Sequence, residues 1–320
     1  MKIFHEFKNN LLERFRLQEN DAIIVGVSGG SDSAALLHLM YEVSEKFPLR
    51  IVVAHVNYHT RGKDSDADEL LVASFAKKLH LAIETTNAKV AKGNFEEKAR
   101  EFRYSFFEKL RKKYHAKYVA VAHTQDDQAE TILMHILKGA GLEGLSGMQP
   151  QEGNIIRPTL SFTKQQLRGY LRGYKIPFRE DATNKQNTFT RNKIRNVLIP
   201  DLTTYNKNFS ETLVRNAEIF SELNTFLKLE AARSFSDIAT TTRDTITFQT
   251  KAFETLPRPV ARELFHQALR TLGHVEPLSA KHFEQVYKVM TSGVSNKSKE
   301  ITKDLKVTRF RDVIRLHRYR

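Results

Sequence analysis

The sequence predicts an α/β protein built on a doubly wound parallel sheet, with a second, smaller, mainly helical domain ending in short β-structure. Three observations carry this. Between residues 20 and 140, short apolar runs alternate with helix-period stretches, as expected for strands buried on both faces and joined by crossover helices. The texture then turns glycine-rich and polar. From Asn208 a long helical pattern follows, and the last residues alternate as a strand does.

In chain order, strands are expected at Ala22–Val27, Ile51–Tyr58, Leu81–Thr86 and Tyr118–His123. The intervening helices are Asp32–Phe47, Asp66–Leu79, Phe95–Tyr114 and Asp127–Leu137. GAGLEGLSGMQPQEGN reads as a glycine-rich loop, and IIRPTL as a short edge segment, because Pro158 stops pairing. TKQQLRGYLRGYKI is helical in pattern, and EDATNKQNTFTRNKIRNVLIP is polar and basic with weak periodicity. Later come a helix from Asn208, a strand-like ITFQT, helices over Arg258–Leu272 and Lys281–Met290, and a β-like end. The domains are expected at residues 1–210 and 211–320.

Composition narrows the function. Lys plus Arg is 51 against 37 Asp plus Glu, a net charge of +14, which favours a polyanionic partner. There are 0 cysteines, so disulfides, thiolate metal sites and thiol catalysis are excluded. No apolar run approaches the roughly 18 residues of a spanning helix. The N-terminus MKIFHEFKNNLLERF is amphipathic and charged, unlike a signal peptide. A cytoplasmic protein with no membrane association is expected.

Residues 25–37 read VGVSGGSDSAALL. Ser28, Gly29, Gly30, Ser31, Asp32 and Ser33 thus join a strand to a helix at the sheet's carboxyl edge, where α/β proteins bind ligands. The glycines let backbone N–H groups reach an anion, and the helix N-terminus adds positive potential. Ser31 and Ser33 can donate further bonds. No lysine follows, so the G-x-x-x-x-G-K-[ST] pattern is absent. Asp32 would repel an anion unless a cation such as Mg²⁺ lay between them. The bland alternative is a tight turn with Asp32 and Ser33 as helix caps.

Other segments offer decoys. His55 and His59 are four apart but on an extended segment, which does not suit a zinc pair. DSDADE begins like a calcium loop, but Glu69 stands where glycine is required, and an acidic helix start explains it better. GAGLEG follows a helix, so it fails the context for dinucleotide binding. In AHTQDDQAET, Asp127 and Glu130 are three apart on one helical face and could hold a cation, either Mg²⁺ or an ammonium substrate. Arg100 and Arg103 likewise share a face.

SGG-x-DS resembles the signature of the PP-loop ATP pyrophosphatases, which cleave ATP between its α and β phosphates. A wider set resembles the tRNA(Ile)-lysidine synthetase family: Ser28–Ser33, His55–Asn57, Ala99–Phe107, Ala122–Leu133, Gly141–Met148, Arg157–Leu160 and Asp181–Leu202. The match is ordered and covers about residues 20–205. Thr124 departs from it, since many members carry a second histidine there. Sulfur-inserting tRNA enzymes with this loop rely on cysteines, which this chain lacks. Some members of the resembled family continue into a further C-terminal domain, so a short form and a truncation are both expectations to weigh.

The resemblance implies a ligase acting on the wobble cytidine of tRNA(Ile) with a CAU anticodon. Its C2 oxygen would attack the α-phosphorus of ATP, and free L-lysine would then displace AMP. Ser28, Gly29, Gly30, Ser31, Asp32 and Ser33 would bind ATP. Asp32 would hold Mg²⁺ or polarise the site, and Asp127 and Glu130 would take the lysine ammonium or assist catalysis. Arg103, with Arg100 as alternative, would contact phosphate or base. Asn184, Arg191, Asn192 and Arg195 are either a structural basic loop or tRNA contacts, which the basic excess favours. The tail, with seven Lys/Arg against two Asp, would grip the tRNA backbone. A homodimer is left open. The competing expectations are a PP-loop ligase acting on a small molecule and a non-catalytic RNA-binding protein.

Overall fold

The computed structural model of the protein describes residues 2–60, 62–88, 95–179, 190–273 and 280–319. It forms two compact units, Met1–Ile219 and Phe220–Arg320. The division lies beyond the 210/211 boundary read from sequence and falls inside a long helix, where no glycine or proline breaks the chain.

Helix α1 (Lys2–Asn9) runs through a π-helical turn at Asn10–Arg14 and leads to strand β1 (Ala22–Gly26). Phe4, Phe7, Leu11 and Phe15 recur at helical spacing and are all buried, which explains the amphipathic N-terminus. The chain then alternates as the sequence suggests: α2 (Ser31–Ser44), β2 (Arg50–Asn57), α3 (Lys63–Lys78), β3 (Ala82–Asn87), α4 (Phe95–Lys113), β4 (Tyr118–Ala120) and α5 (Gln125–Leu137). One turn of helix, α6 (Leu142–Leu145), precedes β5 (Gln151–Glu152), β6 (Ile155–Ile156) and α7 (Lys164–Gly173). Residues 190–205 are continuously helical, from α8 (Thr190–Lys193) through a π-helical stretch at Ile194–Leu198 into α9 (Ile199–Tyr205).

The sheet order is β3-β2-β1-β4-β6-β5, parallel except for β5. IIRPTL is therefore not the edge expected. Ile155 and Ile156 pair with β4 on one side and β5 on the other, so β5 forms the margin at that end of the sheet. Alternate residues of β1 serve opposite faces. Ile23 and Val25 join the core under α1, α2 and α7, while Ile24 joins Phe107 and Leu110 of α4. The crevice between β1 and β4 is the switch point of a doubly wound sheet. The loops following both strands open there.

The glycine-rich run after α5 is more ordered than its composition suggests. The buried Gln128 amide clips Met148, donating Nε2–H to its carbonyl at 2.9 Å and accepting its N–H at 2.7 Å. Gly147, at φ 62°, lies against that amide, and a Cβ there would come within 2.8 Å of it.

In the second unit, α10 (Phe209–Ile238), which begins in the first, is followed by β7 (Ala239–Thr241), β8 (Thr245–Gln249), α11 (Thr250–Glu254), α12 (Arg258–Thr271), α13 (Ala280–Met290), β9 (Lys297–Thr302), β10 (Leu305–Arg309) and β11 (Val313–Arg318). Its five strands form an antiparallel sheet in the order β7-β8-β11-β10-β9. Leu305, Val307, Ile314 and Leu316 face the core with Phe248, Phe265 and Phe283. Lys306 opposes His317 and Thr308 opposes Arg315 on the other side, which matches the basic alternation of the tail. Arg309 is the exception. It points inward and pairs with Glu254 at 2.7 Å. Among the described residues, no helix is long and apolar enough to cross a membrane.

Two predictions follow from these contacts. His38 is buried between α2 and α7, bonded through Nδ1 to Tyr170 Oη at 2.7 Å, and burial, aided by Lys78, lowers its pKa to about 4. The unfolded chain binds the extra proton first, so stability is complete above about pH 6.5 and falls as pH drops toward about 4, by up to ~1.4 kcal/mol per pH unit for this group. His38→Gln should flatten that slope in denaturant melts between pH 7 and 4.5; an unchanged slope would contradict the assignment. Gly147→Ala should cost about 1–3 kcal/mol by straining a left-handed position and breaking the Gln128 clip, read as a lower urea midpoint.

Candidate active site

A cavity of about 690 Å³ opens at the switch point. Its walls come from the loop after β1, from Ala54, Val56 and Tyr58, from Arg103, Tyr104 and Phe107 of α4, from Val121, Ala122 and His123 after β4, and from Asp127, Lys164, Arg168, Arg179, Arg195 and Asn196. Gly26 admits the Phe107 ring, since a Cβ there would lie 2.7 Å from it. The lining is apolar toward the sheet and charged toward the loops, the composition of a site for a flat base carrying a charged group.

The loop after β1 is braced from within. Ser33 Oγ donates to the Gly30 carbonyl at 3.0 Å and accepts the Ser28 N–H at 3.1 Å. Ser28 Oγ lies 3.1 Å from Ser33 Oγ, and Ser31 Oγ donates to Asp32 at 3.1 Å. Gly29 sits at φ 92°, against Asp68. From outside, Arg179 donates its N–H to the Gly29 carbonyl at 3.1 Å while its guanidinium reaches Asp68 at 2.8 Å and Asp64 at 2.5 Å. The N-cap of α2 is Gly30, which makes no side-chain capping bond. The loop is thus braced in one conformation, and its helix start is not a side-chain-capped turn. Asp32 stands in its mouth. Burial and the Asp127 charge raise its pKa, while Lys164, Ser31 and Arg168 oppose this.

The DDQAET segment forms the first turns of α5. Thr124 caps it: Oγ1 accepts the Asp127 N–H at 3.3 Å and donates to Asp127 Oδ2 at 2.8 Å, and the Thr124 N–H reaches the same oxygen at 3.0 Å. Asp127 lines the cavity and pairs with Lys164 Nζ at 2.9 Å. Burial alone would raise its pKa, but Lys164 and the Thr124 bonds outweigh it and bring it to about 2. Glu130, 1 % exposed, instead holds two arginines: Arg195 Nε at 2.6 Å on one oxygen and Arg191 Nε at 2.9 Å on the other. Arg195 also reaches Asp127 at 3.6 Å.

Of the residues singled out in the sequence, Ser28, Gly30, Ser31, Asp32, Ser33, Arg103, Asp127 and Arg195 share the cavity wall. Arg100 stacks on the Tyr104 ring at 4.8 Å and is exposed. Glu130 and Arg191 lie behind Asp127 in the ion-pair cluster, and Asn192 follows them on α8. Asn184 lies outside the described residues. His55 donates its Nδ1–H to the Val27 carbonyl, 2.8 Å away, and DSDADE forms the acidic first turns of α3. Sequence reading missed His123, Lys164, Arg168, Arg179 and Asn196 on the wall. His123 is neutral at physiological pH, since burial lowers its pKa to about 4. Only the four-residue spacing of Lys164 and Arg168 after a T-x-x-Q capping box could have drawn attention to that pair.

Comparison with known proteins agrees with this geometry. Residues 3–202 match the family model described as "PP-loop domain". A tRNA(Ile)-lysidine synthase of Clostridium tetani is 33% identical over 87% of this chain and 61% of that protein. One from Clostridium acetobutylicum is 38% identical over 68% of this chain and 48% of that protein, and one from Clostridioides difficile is 29% identical over 98% and 70%. The chain thus spans about half to two-thirds of the length of most of these curated relatives. Among solved structures, the U34-tRNA thiolase NcsA from Methanococcus maripaludis with its [4Fe-4S] cluster shares the fold, with a TM-score of 0.58 at 16% identity over 69% of this chain and 80% of that one. With its uncapped cradle at the switch point and a family match across nearly all of the first unit, the chain belongs to the PP-loop family.

Proposed function

We propose that this protein is a tRNA(Ile)-lysidine synthetase: it ligates free L-lysine to C2 of the wobble cytidine of CAU-anticodon tRNA(Ile), at the expense of ATP. The observation that carries the reading is one cavity that joins the braced loop after β1 to the Asp127 carboxylate. The curated relatives bearing that enzyme's name support it. The reaction is proposed for each protomer, in a homodimer or alone, on the cytoplasmic tRNA pool.

In the first step the cytosine C2 oxygen attacks the α-phosphorus and pyrophosphate leaves. In the second, the neutral ε-amine of lysine attacks C2, its proton passes to solvent, and the C2–O bond breaks as AMP departs. Adenylation turns a poor amide-like leaving group into a good one, splitting one difficult substitution into two easier ones. The loop N–H groups from Ser28 to Ser33 hold the departing phosphates. Arg103, from the opposite side of the sheet, contacts the base or its phosphate. With its pKa near 2, Asp127 is a firm anion and a weak base, so it holds a lysine ammonium rather than removing its proton. Glu130, occupied by Arg191 and Arg195, contributes by fixing them beside that ammonium site. Asn184, Arg191, Asn192 and Arg195 form the tRNA-facing segment in this reading, with the basic tail as a second contact.

Mg²⁺ fits the donor set. Among the described residues, no cluster of three or more His, Asp or Glu side chains is arranged to hold a metal, but Mg²⁺ with a nucleotide needs only one or two carboxylates and the phosphates. Asp32, whose pKa burial and the Asp127 charge raise, would hold it. Bound there, it would neutralise charge on the phosphates.

Labelled lysine should enter CAU-anticodon tRNA(Ile), with stoichiometric AMP and pyrophosphate and no transfer to elongator methionine tRNA. No incorporation with pure protein, ATP and Mg²⁺ would overturn the reading, and ATP cleavage without RNA would favour a small-molecule ligase. Asp32→Ala should abolish pyrophosphate release while leaving the melting temperature near wild type; full activity in that variant would remove Asp32 from the site.

A further inference from the structure

The cradle after β1 has no lysine, yet its ligand would carry a triphosphate. We propose that Lys164 and Arg168, on α7, supply the missing positive charge by binding the β,γ-diphosphate that leaves as pyrophosphate. The proposal deepens the ATP-ligase reading and rests on it.

Both side chains line the cavity with the cradle, and they are four apart on one face of α7. The helix carrying them is fixed. Thr163 and Gln166 cap its start, and Leu167, Tyr170 and Leu171 are buried against the core that α2 also buries. The Tyr170 hydroxyl bonds His38 of α2 at 2.7 Å. The helix that begins at the phosphate loop and the helix that brings the cations are thus one rigid pair. The Lys164 backbone N–H also donates to Asp126 at 2.8 Å, which ties its position to α5.

Of the cations on the wall, these two come from a single helix beside the cradle. Arg195 is engaged by Glu130 at 2.6 Å, and Arg179 by Asp68 at 2.8 Å. Arg103 comes from α4, which packs on the opposite face of the sheet. Lys164 gives one N–H to Asp127 at 2.9 Å, and an ammonium has three donors. Both share the cavity wall with Asp32, which stands at the mouth of the cradle. A phosphoryl-transfer loop carries its lysine with it to follow the γ-phosphate. When pyrophosphate is the leaving group, charge builds beyond the loop. Cations arriving from a separate helix then stabilise the departing group.

The test is calorimetric binding of inorganic pyrophosphate, ATP and adenosine to the whole chain in magnesium buffer. Lys164→Met should weaken pyrophosphate and ATP binding at least tenfold and leave adenosine binding unchanged. Arg168→Gln should weaken the same two ligands, and Lys164→Arg should restore most of the loss. If wild type binds ATP and both neutral variants match it for pyrophosphate, the proposal falls while the ATP site stands. If adenosine binding is lost along with pyrophosphate, Lys164 is a structural pin and the proposal is overturned. If wild type binds no ATP, the ligase reading falls and takes this inference with it.

Discussion

The buried Glu130 carboxylate and its two arginines hold the site together. A carboxylate 1 % exposed carries a desolvation cost of several kcal/mol, which only good geometry and full pairing offset. Here Arg195 binds both oxygens, at 2.6 and 2.9 Å, Arg191 joins it on one of them at 2.9 Å, and Arg195 continues toward Asp127. One acidic helical face therefore fastens the helical segment 190–205 to α5. The next turn up, Asp127 fastens α7 through Lys164, and Gln128 fastens the glycine-rich run through Met148. Four consecutive residues of α5 from Asp127 to Glu130, including the fully buried Ala129, each take a separate direction from one short motif.

The electrostatics of the cavity follow from this arrangement. Asp32 and Asp127 repel each other, and cations from two different elements keep them together. The cradle contributes no side-chain cation of its own, so its affinity for anions depends on backbone dipoles and on charge imported from α7. A site built this way binds a polyphosphate without placing a lysine where it would follow a transferred γ-phosphoryl group. The neutral His123 on the wall adds polarity without charge.

Much of this was legible in the sequence because it is local. Alternating apolar runs located β1 to β4 and their crossovers, since strands buried on both faces have no other sequence pattern. SGGSDS between β1 and α2 marked the cradle because Gly29, at φ 92°, takes a backbone that favours glycine. The remainder depends on contacts between distant segments. The sequence spacing of Asp127 and Glu130 suggested two carboxylates facing one ligand, but not that Arg191 and Arg195 would occupy the second. Lys164 and Arg168 reach the loop from more than a hundred residues away, through packing of α7 on α2 that no periodicity encodes. IIRPTL looked like an edge because of Pro158, but the pairing involves only Ile155 and Ile156, before the proline. The tail's alternation revealed strands and a basic side, but not that Arg309 would turn inward to Glu254.

A double-mutant cycle on Glu130 and Arg195 tests most directly whether this ion pair organises the site. Glu130→Gln, Arg195→Gln and the double variant would be compared by equilibrium urea unfolding. The account predicts that each single change destabilises strongly, and that the pair is coupled by about 2 kcal/mol, because either one alone strands a buried charge. Losses that add to within about 0.5 kcal/mol would contradict it. The Glu130–Arg195 contact would then be incidental, and the arrangement of α5 and the 190–205 segment would need another cause.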